Sequence, residues 1–436
     1  MQKHLLFSCF FSLLVQPVAA IAQPLDGNGS MAFSRTIPAV AEPTGSLTLQ
    51  AAIALAEQAN AQVSAAAREL DAAGAAVMQA GALPNPELAT LFEDRDRDTR
   101  TTTVQINQPI SFSGQRLARI RAAEHARDIA GVDLGMAQTD IRASVIAAFY
   151  EVVIGQERLQ LAQAAAGLAQ RGTEIAAKRV AAGKVSPVDA TRARIAEAGA
   201  RAELNQAQSA LRLARQRLSS HWGNALPRFD AAIGAADNFP LARTAGDTTR
   251  QLDQAPGIRR ARMEVERRRA LTDVERRRRI PDVTVSLGAK RDEQLGRNQV
   301  ILGFSMPIPA FDRNQGNIGE ALAREDKARD ELALLRVQVE GQAMAAWEAF
   351  NVASAEAATL AKDVLPDAQG ALDAAMKGFE YGKFNFLDVL DAQRTLFQVR
   401  TQYLRALADA HRAQATLDRL LGTASLAATD ASNTHE

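Results

Sequence analysis

Two turns in this sequence carry acids behind a glycine. Gly183-Lys184 is followed by Ser186, Pro187 and Asp189, and Gly382-Lys383 by Asn385, Asp388 and Asp391. Each residue has a structural account. Gly183 and Gly382 suit left-handed helix ends. Ser186 and Asn385 suit N-caps, Pro187 the first helical position, and Asp189 and Asp388 the acid three residues after the cap. Capping therefore accounts for Asp189 and Asp388. Asp391 lies one turn further in, where capping no longer applies. It is either a solvated surface acid or an acid facing a lumen, where symmetry mates would complete an acidic ring that selects cations.

Other chemistry is poorly served. The five histidines, His4, His125, His221, His411 and His435, are scattered, with none paired at ligand spacing. There is no phosphate loop, no HExxH pattern and no nucleophile elbow. No metal site, cofactor or catalytic group is expected. The one cysteine, Cys9, lies in a stretch that reads as an export signal: a basic start at Lys3 and His4, an apolar run over residues 5–15, then Ala20-Ile21-Ala22 before a cut. Domain limits follow from this, with a signal at 1–22 and a loosely ordered arm at 23–46. A mature chain beginning near Gln23 would lack cysteine, and so lack disulfides, a thiol nucleophile and Cys-ligated metal. A net charge of +1 over 436 residues gives no field for nucleic acid. Alanine is abundant and aromatics make up only 5%, which suits closely approaching helices better than a bulky globular core.

The elements that would hold the two turns come in duplicate, at an offset of 197 to 199 residues. Leu83-Pro84 matches Ile280-Pro281, Gln108-Pro109-Ile110 matches Met306-Pro307-Ile308, and Gly183-Lys184 matches Gly382-Lys383. One repeat covers 47–245, with a β-hairpin at 86–110 and a helical turn at 183–187. The other covers 246–423, with a β-hairpin at 281–309 and a turn at 382–386. Residues 424–436 read as a mobile tail.

The strands alternate. Val283, Val285, Leu287 and Ala289 interleave with Thr284, Ser286 and Gly288. Val300, Leu302, Phe304, Met306 and Ile308 do the same in the partner strand. Val104 and Ile106 alternate in the first half, and residues 87–92 form a weaker partner. One apolar and one polar face suit either a tilted membrane strand or an amphipathic hairpin on a soluble sheet. The charged runs at residues 94–98 and 290–293 are expected at the hairpin tips, in water. No later run is long and apolar enough for a membrane helix, so any span must be β. Four strands cannot close a barrel, which needs about eight. Several copies would have to pool them, and three copies would supply twelve.

Between residues 110 and 186 there is no proline, and helix formers dominate. A helix of about 70 residues would be ~100 Å long. Val389, Leu396, Tyr403, Ala410 and Leu417 repeat every seven residues. Ala392, Val399, Ala406, Ala413 and Leu420 follow each by three, an a/d seam for coiled-coil packing. Leu204, Leu211 and Leu218, with Ala193, Ala200, Ala207 and Ala214, repeat the pattern in the first half. The arginines of residues 259–279 are interleaved with Glu264, Glu266, Asp273 and Glu275 and read as an ion-paired helix face. The sharper alternative is contact with lipid phosphates at the inner edge of a membrane.

Together these features resemble the TolC family of outer-membrane efflux ducts over residues 47–422. Three segments resemble its heavy-metal branch, that of the cobalt–zinc–cadmium exporter's outer-membrane subunit. They are Leu83-Pro84-Asn85-Pro86-Glu87, the run from Gln108 to Arg116, and Pro307-Ile308-Pro309-Ala310-Phe311-Asp312-Arg313-Asn314-Gln315-Gly316. The resemblance implies a mainly α fold with a small β part: a homotrimer with a twelve-stranded barrel in the outer membrane and a long α-helical tunnel across the periplasm. The turns around Gly183, Lys184, Ser186 and Asp189, and around Gly382, Lys383, Asn385, Asp388 and Asp391, would form the closed periplasmic tip. That tip would dock a periplasmic adaptor (membrane fusion protein), itself joined to an inner-membrane pump of the resistance–nodulation–division (RND) class. In relatives, acids matching Asp388 and Asp391 lie at the constriction. The first-half turn departs from that pattern, with Arg192 standing where Asp391 stands in the second half. The implied function is passive export of heavy-metal cations, and the alternative cargo is drugs or other organic solutes. An enzyme and a purely structural coiled coil are the readings from other classes. The coiled-coil reading leaves the strand pairs and the export signal unexplained.

Overall fold

Prolines, glycines and small capping side chains set where the elements begin and end. The computed structural model describes residues 42–94, 96–234, 245–381, 383–384 and 386–422. The signal segment 1–22, residues 23–41 of the arm, the tail 424–436, and Gly382 and Asn385 lie outside the described residues.

β1 (Ser46–Thr48) leads into α1 (Leu49–Ala59), where Thr48 Oγ1 accepts from the Ala51 amide at 3.3 Å. Asn60 caps α2 (Ala61–Gly81) through the Gln62 and Val63 amides, at 2.9 and 3.2 Å. β2 (Glu87–Glu93) and β3 (Thr101–Ile110) follow. Gly114, at φ 70°, then admits α3 (Gln115–Ala181), whose 67 residues span about 100 Å. α4 (Pro187–Ser220), β4 (Ala231–Ile233), α5 (Ala245–Leu252) and α6 (Pro256–Arg278) come next. They lead to β5 (Val283–Asp292) and β6 (Arg297–Ser305). α7 (Gln315–Thr359) continues through a π turn, Leu360–Val364, into α8 (Leu365–Glu380), and α9 (Phe386–Leu421) follows. The π turn sits just ahead of Pro366. Proline lacks an amide donor and its ring crowds the carbonyl four residues back. A locally widened turn lets the helix run on.

The arm is more ordered at its end than expected. Glu42 is buried, and its carboxylate accepts from the Arg228 and Phe229 amides at 2.9 and 3.4 Å and from the Asn224 side chain. β1 then pairs in parallel with β4, with Leu47 opposite Ala232. The largest core gathers Leu47, Val145, Phe149, Val152, Leu218, Trp222 and Phe229 around the middle of α3.

Along the helices the interior is narrow and rich in alanine, which lets axes approach closely. Val389, Leu396, Ala410 and Leu417 are buried, as are Ala406 and Ala413, so the expected seam on α9 holds. Leu211, Leu218, Ala193 and Ala207 are buried in the α3–α4 hairpin, while Ile175 is exposed. α9 also packs on α3, where the rings of Tyr150 and His411 stack at 3.6 Å. His411 is buried, with its Nε2 unpartnered among the described residues, and burial lowers its pKa to about 4.

The two strand hairpins join into one antiparallel sheet in the order β2-β3-β5-β6. Register puts Leu88, Ile106, Leu287 and Leu302 in one row and Thr90, Val104, Ala289 and Val300 in the next. Paired residues share a face, so one face is apolar and largely exposed. The other carries Gln105, Asn107, Ser286, Gly288, Gln299 and Gly303. Gly288 is held to glycine by its neighbour, since a Cβ there would lie 2.5 Å from the Val104 carbonyl oxygen. The expected second tip needs correcting. Lys290, Arg291 and Asp292 are still in β5, where Lys290 pairs with Glu93 at 3.3 Å, and the turn follows at Glu293. β6 stops at Ser305 rather than running to Ile308, because Pro307 offers no amide to the ladder. Among the described residues no helix is long and apolar enough to cross a membrane.

Most of the arginine-rich stretch is ion-paired. Arg260 meets Asp133 at 2.5 Å, Arg262 meets Asp253 at 2.9 Å, and Arg267 and Arg268 meet Glu264 at 2.7 and 2.6 Å. Burial alone would push the Glu264 carboxyl up, but the two guanidinium groups outweigh it, so its pKa lies below the ordinary value.

Candidate functional site

The first hairpin tip follows from a short run of sequence. α3 ends in Lys178 and Arg179, cations suited to the negative end of a helix. Gly183 takes φ 67°, its amide donates to the Val180 carbonyl at 2.9 Å, and the Lys184 amide donates to the Arg179 carbonyl at 2.9 Å. This double bond pattern is the Schellman ending. Ser186 then caps α4, its Oγ accepting from the Val188 amide at 3.3 Å. Asp189 sits in the first turn, where its charge favours the positive helix end. Lys184, Ser186 and Val188 are exposed.

The second tip has a different build. The amides of Lys383 and Phe384 both donate to the Gly378 carbonyl, at 2.8 and 3.1 Å. Phe384 folds back over Gly378, and a Cβ there would overlap the Phe384 ring. Tyr381 and Phe384 expose apolar surface at this turn. α9 starts with Asp388 in its first turn. Asp388 and Asp391 are both exposed, and the Asp391 carbonyl accepts from Thr395 Oγ1 at 3.0 Å.

A cleft of about 750 Å³ relates the two hairpins. Its floor is α3, at Ala165 and Ala169. One wall is α4, with Arg192, Ile195, Gly199 and Glu203, and the other is α9, with Asp388, Asp391, Arg394, Phe397 and Gln398. The structure thus brings Asp388 and Asp391 to one cleft with Arg192, the residue that breaks the duplicated acid pattern. Asp189, Gly183, Lys184 and Ser186 form the neighbouring tip and do not line it. A second cleft, of about 630 Å³, shares Glu203, Phe397 and Gln398 and continues along α9 to Thr401, Arg405 and Asp409. Near the tips the hairpins also touch directly, with the Arg179 guanidinium 4.3 Å from the centre of the Phe379 ring.

Such an arrangement lines the clefts with charge of both signs. It holds no nucleophile–base pair, and among the described residues no group of three or more His, Cys, Asp or Glu side chains could hold a metal ion. Sequence reasoning missed Arg179 with Phe379 and the shared cleft. A basic residue in a last helical turn reads as a dipole complement, and nothing in local spacing reveals a contact two hundred residues away.

Comparison with known proteins agrees with this architecture. Residues 52–224 and 249–423 match the family model described as outer membrane efflux protein. The chain is 48% identical over 381 residues to the cobalt-zinc-cadmium resistance protein CzcC of Cupriavidus metallidurans, covering 87% of this chain and 91% of that one. It is 28% identical over 328 residues to the nickel-cobalt-cadmium resistance protein NccC of Alcaligenes xylosoxydans xylosoxydans, covering 74% and 72%. Among solved structures, the outer membrane protein VceC of Vibrio cholerae superposes with a TM-score of 0.70 at 20% identity, covering 86% of this chain and 96% of that one. That last likeness is one of fold.

Proposed function

The chain belongs to the outer membrane efflux protein family, and on that premise we propose that it is the exit duct of a tripartite export system, passively conducting divalent heavy-metal cations from the periplasm to the exterior. It is an outer-membrane protein. Its sheet is too narrow to close alone, which supports a homotrimer pooling twelve strands. The helices, about 100 Å long, would extend the lumen through the periplasm. A periplasmic adaptor would dock on the hairpin tips, at Gly183, Lys184, Ser186 and Asp189 and at Gly382, Lys383 and Asn385. An inner-membrane pump of the RND class would supply the energy. The duct itself performs no chemistry, so it is not an enzyme and needs no cofactor.

The observation that carries the cargo assignment is the 48% identity, over nearly the full length, to a cobalt-zinc-cadmium resistance protein. The test is a growth panel on a strain lacking this chain, covering zinc, cobalt, cadmium, nickel, copper and silver beside dyes, detergents and antibiotics. Sensitivity to one or a few metals, reversed by restoring the gene, is expected. Sensitivity to organics with normal metal tolerance would keep the duct and overturn its cargo.

The closed tip would be held where Asp388, Asp391 and Arg192 share a cleft and where Arg179 meets Phe379. Two packings of a small energy difference are what a docking partner can bias. Replacing Asp388 and Asp391 together by alanine is expected to raise leak conductance in planar bilayers. Arg179→Gln removes a contact of about 0.5–1 kcal/mol and is expected to raise the leak by a smaller factor. Conductance identical to wild type in either variant would remove those residues from the gate.

A further inference from the structure

The turn end of the sheet, away from the helices, holds an ion pair that reaches across a strand. Apart from Glu87 at its helix end, the polar face is uncharged through Asn107, Ser286, Gln105 and Gly288. Lys290 is the first cation on that face, in a row with Thr103 and Gln299. Glu93 stands one row further out, opposite Thr101. Lys290 is on β5 and Glu93 on β2, so their contact passes over β3, which lies between them. Lys290 Nζ is 3.3 Å from Glu93 Oε2, and the same oxygen accepts from Thr101 Oγ1 at 2.9 Å.

A lysine on a wetted wall extends its ammonium into water. Lys290 does not. Its side chain is only 30% exposed, and Thr103, beside it on β3, is buried. The side chain lies along the sheet, and its charge is matched where it lies. In the next row Asp292 stands opposite Arg297, so the outer end of this face carries no net charge.

We propose that Glu93 is a specificity-determining residue of the channel, which holds Lys290 flat across β3 and so keeps a positive charge from projecting into the outer mouth. The proposal rests on the reading of the sheet as one third of a barrel with its polar face to the lumen. Such a barrel is roughly 24 Å across between backbones, from a strand spacing of about 4.8 Å and a tilt of about 40°. A lysine released from Glu93 would bring its ammonium within a Debye length, ~10 Å at 0.1 M, of the axis. Three copies would set a positive ring in the path of a divalent cation, far from the acids of the tip. Glu93 is a positioning residue here, since it acts through Lys290.

The test is the zero-current potential of full-length channels in planar bilayers across a zinc chloride gradient. The parent carries Asp388→Ala and Asp391→Ala, so that the tip does not dominate selectivity. Adding Glu93→Gln is expected to lower the zinc-to-chloride permeability ratio on the order of tenfold, from three unit charges at about 8 Å in screened water. Lys290→Met, which leaves the Glu93 carboxylates unmatched, is expected to raise the ratio by a similar factor. The two together should return it to that of the parent. Damage to the strands would not be reversed by a second loss, so this rescue distinguishes charge from structure. A double variant that keeps the ratio of Glu93→Gln would overturn the proposal and leave the duct standing. So would a ratio in Lys290→Met no higher than the parent's, a result that decides the matter even where Glu93→Gln fails to insert. Parent protein that inserts and passes no current would overturn the duct reading and this proposal with it.

Discussion

Leu287→Arg is expected to remove the channel from the outer membrane, whereas Ser286→Arg, one residue away, is tolerated. Leu287 sits in the middle of a row with Leu88, Ile106 and Leu302, on the exposed apolar face of the sheet. A charged side chain on the lipid face near the bilayer midplane costs about 2–4 kcal/mol. In a trimer that cost is incurred three times in one barrel. Ser286 is on the other face, paired with Asn107 and Gly303 and near Gln105 and Gln299, the face that would turn to the lumen. The measurement is the amount of heat-resistant trimer in outer-membrane fractions. Equal loss from both substitutions, or from neither, would show that the two faces do not divide lipid from lumen.

The second large effect is an acid sensitivity that resides in His411. Its pKa falls from 6.5 to about 4 because burial between α3 and α9 disfavours the charged ring. Its side chain stacks on Tyr150, and nearby Arg412 is engaged with Asp409 at 2.6 Å and Glu151 at 3.2 Å. Above pH 6.5 neither the folded nor the unfolded chain protonates this ring. Between 6.5 and about 4 the unfolded chain binds a proton that the folded chain does not, so stability falls as pH falls. Once the pH is below about 4 the loss is complete, at roughly 3 kcal/mol per chain. His411→Phe keeps the stack and removes the proton site. In thermal melts at pH 7 and pH 4, the wild type should lose this increment beyond the loss shown by the variant. Parallel losses in both proteins would assign the acid sensitivity to carboxylates instead.

The parts of the fold set by local chemistry were legible from the residues. Seven-residue spacing from Val389 to Leu417 identified the buried seam of α9 because a helix face repeats at that interval. Gly183, Ser186 and Pro187 located the first tip because each satisfies a different end-of-helix requirement. The alternation in β5 gave its two faces but not its far end, since the charges of Lys290, Arg291 and Asp292 look like a turn until Glu93 is placed beside them. What depended on partners distant in sequence could not be read. Arg192 marked only a break in the duplicated pattern, and its cleft with Asp388 and Asp391 requires α4 and α9 to share α3 as a floor. The arginines of α6 read mostly as ion-paired and mostly are, yet that Arg277 donates to the Ser113 carbonyl and that Asn314 reaches Glu275 no spacing announces.

The most direct measurement is the zero-current potential of the purified, full-length protein in a planar bilayer across a gradient of zinc chloride, with no nucleotide, proton gradient or partner protein present. A duct with acids at its constriction should pass current without any energy source, with a potential of the sign that cation preference dictates, and should lose that preference when Asp388 and Asp391 become alanine. An anion-selective potential, or no ion flux from protein shown to be inserted, would contradict it.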